Sequence, residues 1–165
     1  MKLVTLLSVA ALLSTPLAAG DYDAVGKALR QTWPQASTVA VVCDSAHNRS
    51  ALDAITNALP GVKILLIEVK GQQDMGKALT TLTARRPDAI VLVAGDKVAG
   101  DGTSAASFLI QRMAAAKIPT VATTEAGVRQ GAVLGVGPGT GGKLMTNPKV
   151  AGVAGVAVPS GGIQI

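Results

Sequence analysis

The sequence is poor in the residues that most often announce a function. Of its 165 residues, one is Cys (Cys43), one is His (His47), and only Tyr22, Trp33 and Phe108 are aromatic. A lone Cys closes no intramolecular disulfide, and with a lone His it builds no zinc site. No metal and no cofactor are therefore expected. So few aromatics exclude a stacking platform for single-stranded nucleic acid. Charge is scarce too, at 15% of residues, with 15 Lys+Arg against 10 Asp+Glu and a net charge of +5. The bases are dispersed, Arg85-Arg86 being the only adjacent pair, so the charge aids solubility without forming a nucleic-acid stripe. No apolar run reaches the ~20 residues of a membrane span.

Aliphatic side chains are abundant. Hydrophobic residues make up 48% of the chain, which excludes the disordered class. Nineteen Gly and eight Pro follow no collagen period, which excludes the fibrous classes. The length suits one compact domain with a core of Val, Leu, Ile and Ala.

Residues 1–20 carry one charge (Lys2), an apolar stretch from Leu3 to Leu13, a break at Pro16, and small residues at Ala18, Ala19 and Gly20. This is the pattern of a cleavable secretory signal, with cleavage after Ala19 or Gly20. No Cys lies nearby to take a lipid anchor. The expected location is the periplasm, without a membrane anchor.

Beyond residue 20 the hydrophobic pattern alternates between strand and helix. Asp23 to Trp33 reads as a helix with Val25, Leu29 and Trp33 on one side, Gly26 as its internal weak point and Pro34 as its stop. Thr38 to Cys43 is an apolar, β-branched run, the mark of a strand covered on both faces. A polar turn, Asp44 to Arg49, then leads into a helix carrying Leu52, Ile55 and Leu59, with Asn48 or Ser45 as its cap. Val62 to Val69 is the second strand, and Gln72 to Ala84 a helix with Met75, Leu79 and Leu82 on one face. Ala89 to Ala94 is the third strand, followed by a Gly-rich loop from Gly95 to Ser104 and a helix from Ala105 to Lys117. Ile118 to Ala122 and Ala132 to Val136 complete five strands, with a helical turn at Glu125 to Gln130 between them. Strands separated by helices of about a dozen residues predict βαβ units with right-handed crossovers. The fold class is thus α/β: a three-layer sandwich around a mainly parallel five-stranded sheet. Such sheets bind ligands in the loops after the strand C-termini, near the point where strand order reverses. Asp44–Arg49, Gly95–Ser104 and Thr123–Glu125 are the polar loops that meet this rule.

Five segments, in order, resemble periplasmic substrate-binding proteins of ABC transporters, in the uncharacterised branch associated with aromatic amino acids. Pro34 to Val42, with Asn48 in the turn beyond, resembles the opening of that family's second lobe. Arg86-Pro87-Asp88-Ala89-Ile90 resembles the start of its middle strand, and Ala116 to Ala122 its helix and Ile-Pro joint. Glu125 to Ala132 resembles the turn that follows. Thr146 to Ala151, with Gly155 and Val158-Pro159, resembles its closing helix. The resemblance covers residues 34–159. It departs in two places: only Asp21 to Trp33 stands where the family has a first lobe, and Gly137 to Lys143 replaces a long helix and returning strand. The resemblance therefore implies one lobe of a type I binding protein, residues 21–136, followed by a Gly-rich loop and tail at 137–165.

The same Gly-rich stretch satisfies the spacing of a phosphate-binding loop, Gly137-x-x-x-x-Gly142-Lys143. Leu144 stands where a Ser or Thr is needed for magnesium, and Pro148 curtails the helix. It reads as a linker. Asp44, Ser45 and His47 share one turn, where neighbours rarely align as nucleophile and base, so capping is the simpler reading and no catalytic residue is assigned. Cys43 ends a buried strand and reads as an inert hydrophobe.

The expected function is therefore non-enzymatic: an exported, one-lobe solute-binding protein taking a small solute such as an amino acid, weakly or as a homodimer, with an ABC permease as a further partner. Ligand contacts are expected from Ser45, Asn48, Asp96, Thr123 and Glu125, with helix N-terminal amides receiving any carboxylate. The alternative is a periplasmic accessory protein whose exposed lobe face docks a partner.

Overall fold

The computed structural model describes residues 22–165. The segment read as an export signal lies outside the described residues. The elements follow one another as α1 (Asp23–Thr32), β1 (Thr38–Cys43), α2 (Arg49–Ala58), β2 (Lys63–Glu68), α3 (Met75–Arg85), β3 (Ala89–Leu92), α4 (Ser104–Ala115), β4 (Thr120–Thr124), α5 (Glu125–Arg129), β5 (Leu134–Gly139), β6 (Met145–Thr146), α6 (Pro148–Ala154) and β7 (Ile163–Gln164). A 3₁₀ turn at Gln72–Asp74 precedes α3.

One sheet joins all seven strands in the order β2-β1-β3-β4-β5-β6-β7. The first five of that order pair parallel, as the alternating pattern predicts. The expectation of five strands falls short by two. β6 returns antiparallel beside β5, and β7 lies parallel to β6. Two-residue strands carry no period for a sequence to display, so only their place beside β5 reveals them.

Alternation along β1 shows why the fold is layered. Val39, Val41 and Cys43 point into one cluster with Val25 and Leu29 of α1, Ile55 of α2 and Ala151 of α6. Ala40 and Val42 point into the other, with Leu82 of α3, Leu109 and Met113 of α4, and Val128 of α5. The side-chain period of two thus sends successive residues to opposite helix layers, and Val39 to Cys43 are fully buried. β2 is different. The second strand of the sequence reading, it forms the sheet edge and leaves Leu66 42% exposed, because only β1 pairs with it.

Asp88 fixes the opposite rim, where the strands begin. Its Oδ2 accepts from the Ser37 amide at 2.8 Å and the Thr38 amide at 2.9 Å, aligning the starts of β1 and β3. Burial opposes ionisation there, but these hydrogen bonds prevail and hold the carboxyl below the usual carboxylate range.

Candidate functional site

Because β1 to β5 run parallel, their C-terminal ends share one rim of the sheet. The chain leaves β1 for β2 on one side, then crosses to β3 on the other, so strand order reverses between β1 and β3. A cleft of about 440 Å³ opens there, lined by Asp44, His47, Asn48, Lys70, Gly95, Asp96, Lys97 and Val98. It contains residues from the loops after three strands, β1, β2 and β3.

Asp96 organises it. Only 4% exposed, it uses Oδ1 to accept from the Val98 amide at 2.9 Å and the Ala99 amide at 2.7 Å, folding its own loop. Its Oδ2 accepts from the Asp44 amide at 2.9 Å and the Asn48 side-chain amide at 2.7 Å. One carboxylate therefore clamps the β3 loop to the β1 loop, its four lone-pair positions matched by four donors. The chain closes tightly behind it: a Cβ at Gly100 would lie 2.2 Å from the Asp96 carbonyl oxygen, so only glycine fits. Asn48 occupies the N-cap position of α2, yet its side chain makes no cap bond and turns instead to Asp96 and to the Asp44 carbonyl at 2.8 Å.

Asp44 accepts from the Ala46 amide at 3.1 Å and lies 2.7 Å from His47 Nδ1. The His47 contact, foremost, holds its carboxyl below the usual range. His47 itself is exposed, and no serine hydroxyl is hydrogen-bonded to it among the described residues. Behind the turn, burial and the neighbouring Asp96, Glu68 and Asp44 charges push the Cys43 thiol up to about 12, so no thiolate is available there.

The rim thus brings Asn48 and Asp96 together, with Ser45 in the same turn; the Ser45 amide donates to Glu68 Oε1 at 3.2 Å. Thr123 and Glu125 belong to a second group further along. The expected loop at Thr123–Glu125 is not one: β4 continues through Thr124, and Thr123 is fully buried inside the strand. Its amide donates to Asp101 Oδ2 at 2.6 Å, and its hydroxyl lies 3.1 Å from the same oxygen. Glu125 opens α5 behind the Thr124 cap and pairs with Arg129 at 2.5 Å.

Asp101 organises this second group, and no local sequence motif marks it. Burial raises its carboxyl above the usual range, opposed by the Thr123 and Thr124 hydrogen bonds, and its buried Oδ1 has no partner. The Gly-rich loop that carries it was legible; its contact with Thr123, 22 positions away, was not. A larger groove, about 720 Å³, lies between α3 and α4, lined by Leu79, Phe108, Arg112 and Met113 among others. It lies on helix faces and lacks the convergent loops of the rim.

No protein-family model and no curated protein matches this sequence. Solved structures do. The chain is similar to a conserved domain protein from Vibrio cholerae O1 biovar El Tor, with a TM-score of 0.71 and 18% identity, covering 84% of this chain and 56% of that one. It is also similar to the ligand-free, open structure of a substrate-binding protein with adhesive properties from Clostridium difficile, with a TM-score of 0.69 and 16% identity, covering 84% of this chain and 57% of that one. The chain thus spans little more than half the length of either. At these identities the likeness is one of fold: an α/β unit with a mostly parallel sheet, similar to a lobe of a substrate-binding protein. Among the described residues no helix is long and apolar enough to cross a membrane.

Proposed function

We propose that the chain is an exported, non-enzymatic solute-binding protein, a one-lobe relative of the ABC-transporter substrate-binding proteins, acting in the periplasm. The supporting observation is the switch-point cleft, where Asp96 clamps the β1 and β3 loops around a polar hollow. Loops after parallel strands at a reversal of strand order are where open α/β sheets hold ligands. Asn48 and Ser45 flank the start of α2, whose first amides lack helical acceptors and suit a carboxylate. Asp96 serves as the frame of the site, its lone pairs already taken. Thr123 and Glu125 shape the neighbouring stretch of rim.

Two-lobed receptors close around a ligand and exclude water, whereas one open lobe desolvates little of it. Affinity for a small solute such as an amino acid is therefore expected near the millimolar range, unless a second copy or another partner covers the rim. Titrating the protein with amino acids and small carboxylates, followed by thermal shift, tests this. A rise in melting temperature at about 10 mM solute is expected for a Kd near 1 mM. No shift with any solute would refute solute capture by the chain alone. Repeating the titration across protein concentrations, with sedimentation alongside, shows whether a homodimer forms the pocket.

A further inference from the structure

We infer that the switch-point cleft takes a small dicarboxylate, its two ends held by Lys70 and Lys97. The inference rests on the solute-binding reading above and narrows it to a ligand class.

Strand order carries the first part. β2 and β3 flank β1, so their C-terminal ends lie roughly 10 Å apart, two strand spacings. Lys70 follows β2 and Lys97 follows β3, on opposite flanks of the Asp44–Asn48 turn, and both line the same cleft. Both are exposed, and neither makes an ion pair or a side-chain hydrogen bond among the described residues. Two free ammonium groups on long flexible stems therefore bracket a hollow lined between them by Asp44, His47 and Asn48.

The acidic groups carry the second part, because they are not available to a ligand. Asp96 is buried and receives four donors. Asp44 has only 16% of its side chain exposed and is engaged by His47 and the Ala46 amide. Glu68 and Asp74 line the adjoining groove along β2, which Lys70 also borders; there Glu68 accepts from the Ser45 amide and Asp74 from the Lys70 and Gly71 amides. A ligand carboxylate meets a free cation at each end of the cleft. Among the residues lining the cleft, a ligand ammonium meets no carboxylate that is both open and unspent. The arrangement favours a four- or five-carbon diacid over the amino acid of matching length.

Succinate, aspartate and succinamide separate these chemistries, since they share a backbone and differ in the ammonium or in both charges. Each is titrated into the full protein while amide chemical shifts are followed by NMR. Succinate is expected to move the amides of residues 44–49, 70 and 95–98, aspartate to bind more weakly, and succinamide to leave them in place. Lys70→Gln and Lys97→Gln should each weaken succinate about fivefold, the scale of an exposed ion pair, with Lys70→Arg restoring most of it. Succinamide binding as tightly as succinate, or succinate affinity unmoved in both Gln variants, overturns the dicarboxylate class and leaves the solute reading standing. Rim amides that respond to none of these solutes, nor to any other amino acid or carboxylate, overturn both.

Discussion

At the scale of single residues, two aspartates on the same rim differ in how their oxygens are satisfied. Asp96 has every lone pair satisfied, whereas Asp101 keeps a buried Oδ1 without a partner. Burial lifts the Asp101 carboxyl above its unfolded value of 3.8. Folding therefore favours its protonated form. That stabilisation is full below the unfolded value and is lost as pH rises through the higher folded value. In Asp101→Asn, which cannot ionise, the contribution is absent. Urea denaturation of parent and variant should show their stability gap moving in the parent's favour between neutral pH and about pH 4. A gap independent of pH would show that Asp101 titrates alike in folded and unfolded chains.

At the scale of elements, glycine separates propensity from packing. Gly26 reads in sequence as the weak point of α1. In the fold a Cβ there would lie 2.1 Å from the Ala58 carbonyl oxygen, so the absence of a side chain is what lets α1 cross α2 closely. Replacing it by Ala gains ~1 kcal/mol of helix propensity but forces the helices apart, and overpacking of this kind costs 1–3 kcal/mol or more. Gly26→Ala is expected to lower the melting temperature by several degrees. Gly76 in α3 has nothing within 4 Å of a built Cβ, so Gly76→Ala should raise it. Equal effects of the two substitutions, read by calorimetry, would contradict the close α1–α2 crossing.

At the scale of the whole molecule, β1 is the axis of the fold. It pairs with β2 and β3, sends side chains into both helix layers and ends at the cleft. Cys43, its last residue, is 0% exposed, and its thiol is pushed up to about 12 by burial and three nearby carboxylates. A central strand opens only when the domain opens. Alkylation of Cys43 by iodoacetamide should therefore be negligible in native buffer and rise with urea along the slope of global unfolding. Rapid native labelling would show instead that the rim end of β1 opens locally, which would leave the cleft without a rigid floor.

The sequence alone determined five of the seven strands, the helices between them and their class. Runs such as Thr38 to Cys43 and Ala89 to Leu92, spaced by helical periods, are local signals, and local signals imply a parallel sheet wrapped by crossovers. They also placed polar residues at the strand ends, hence Ser45, Asn48 and Asp96 among the candidates. Tertiary structure alone decided which of those ends meet. Asp96 reaches Asn48 and Asp44 across 48 and 52 positions, and no periodicity reports on which side of β1 a crossover returns. The same limit extended β4 through Thr124 and added β6 and β7, because a strand that short is defined by its neighbour's hydrogen bonds rather than by its own side chains.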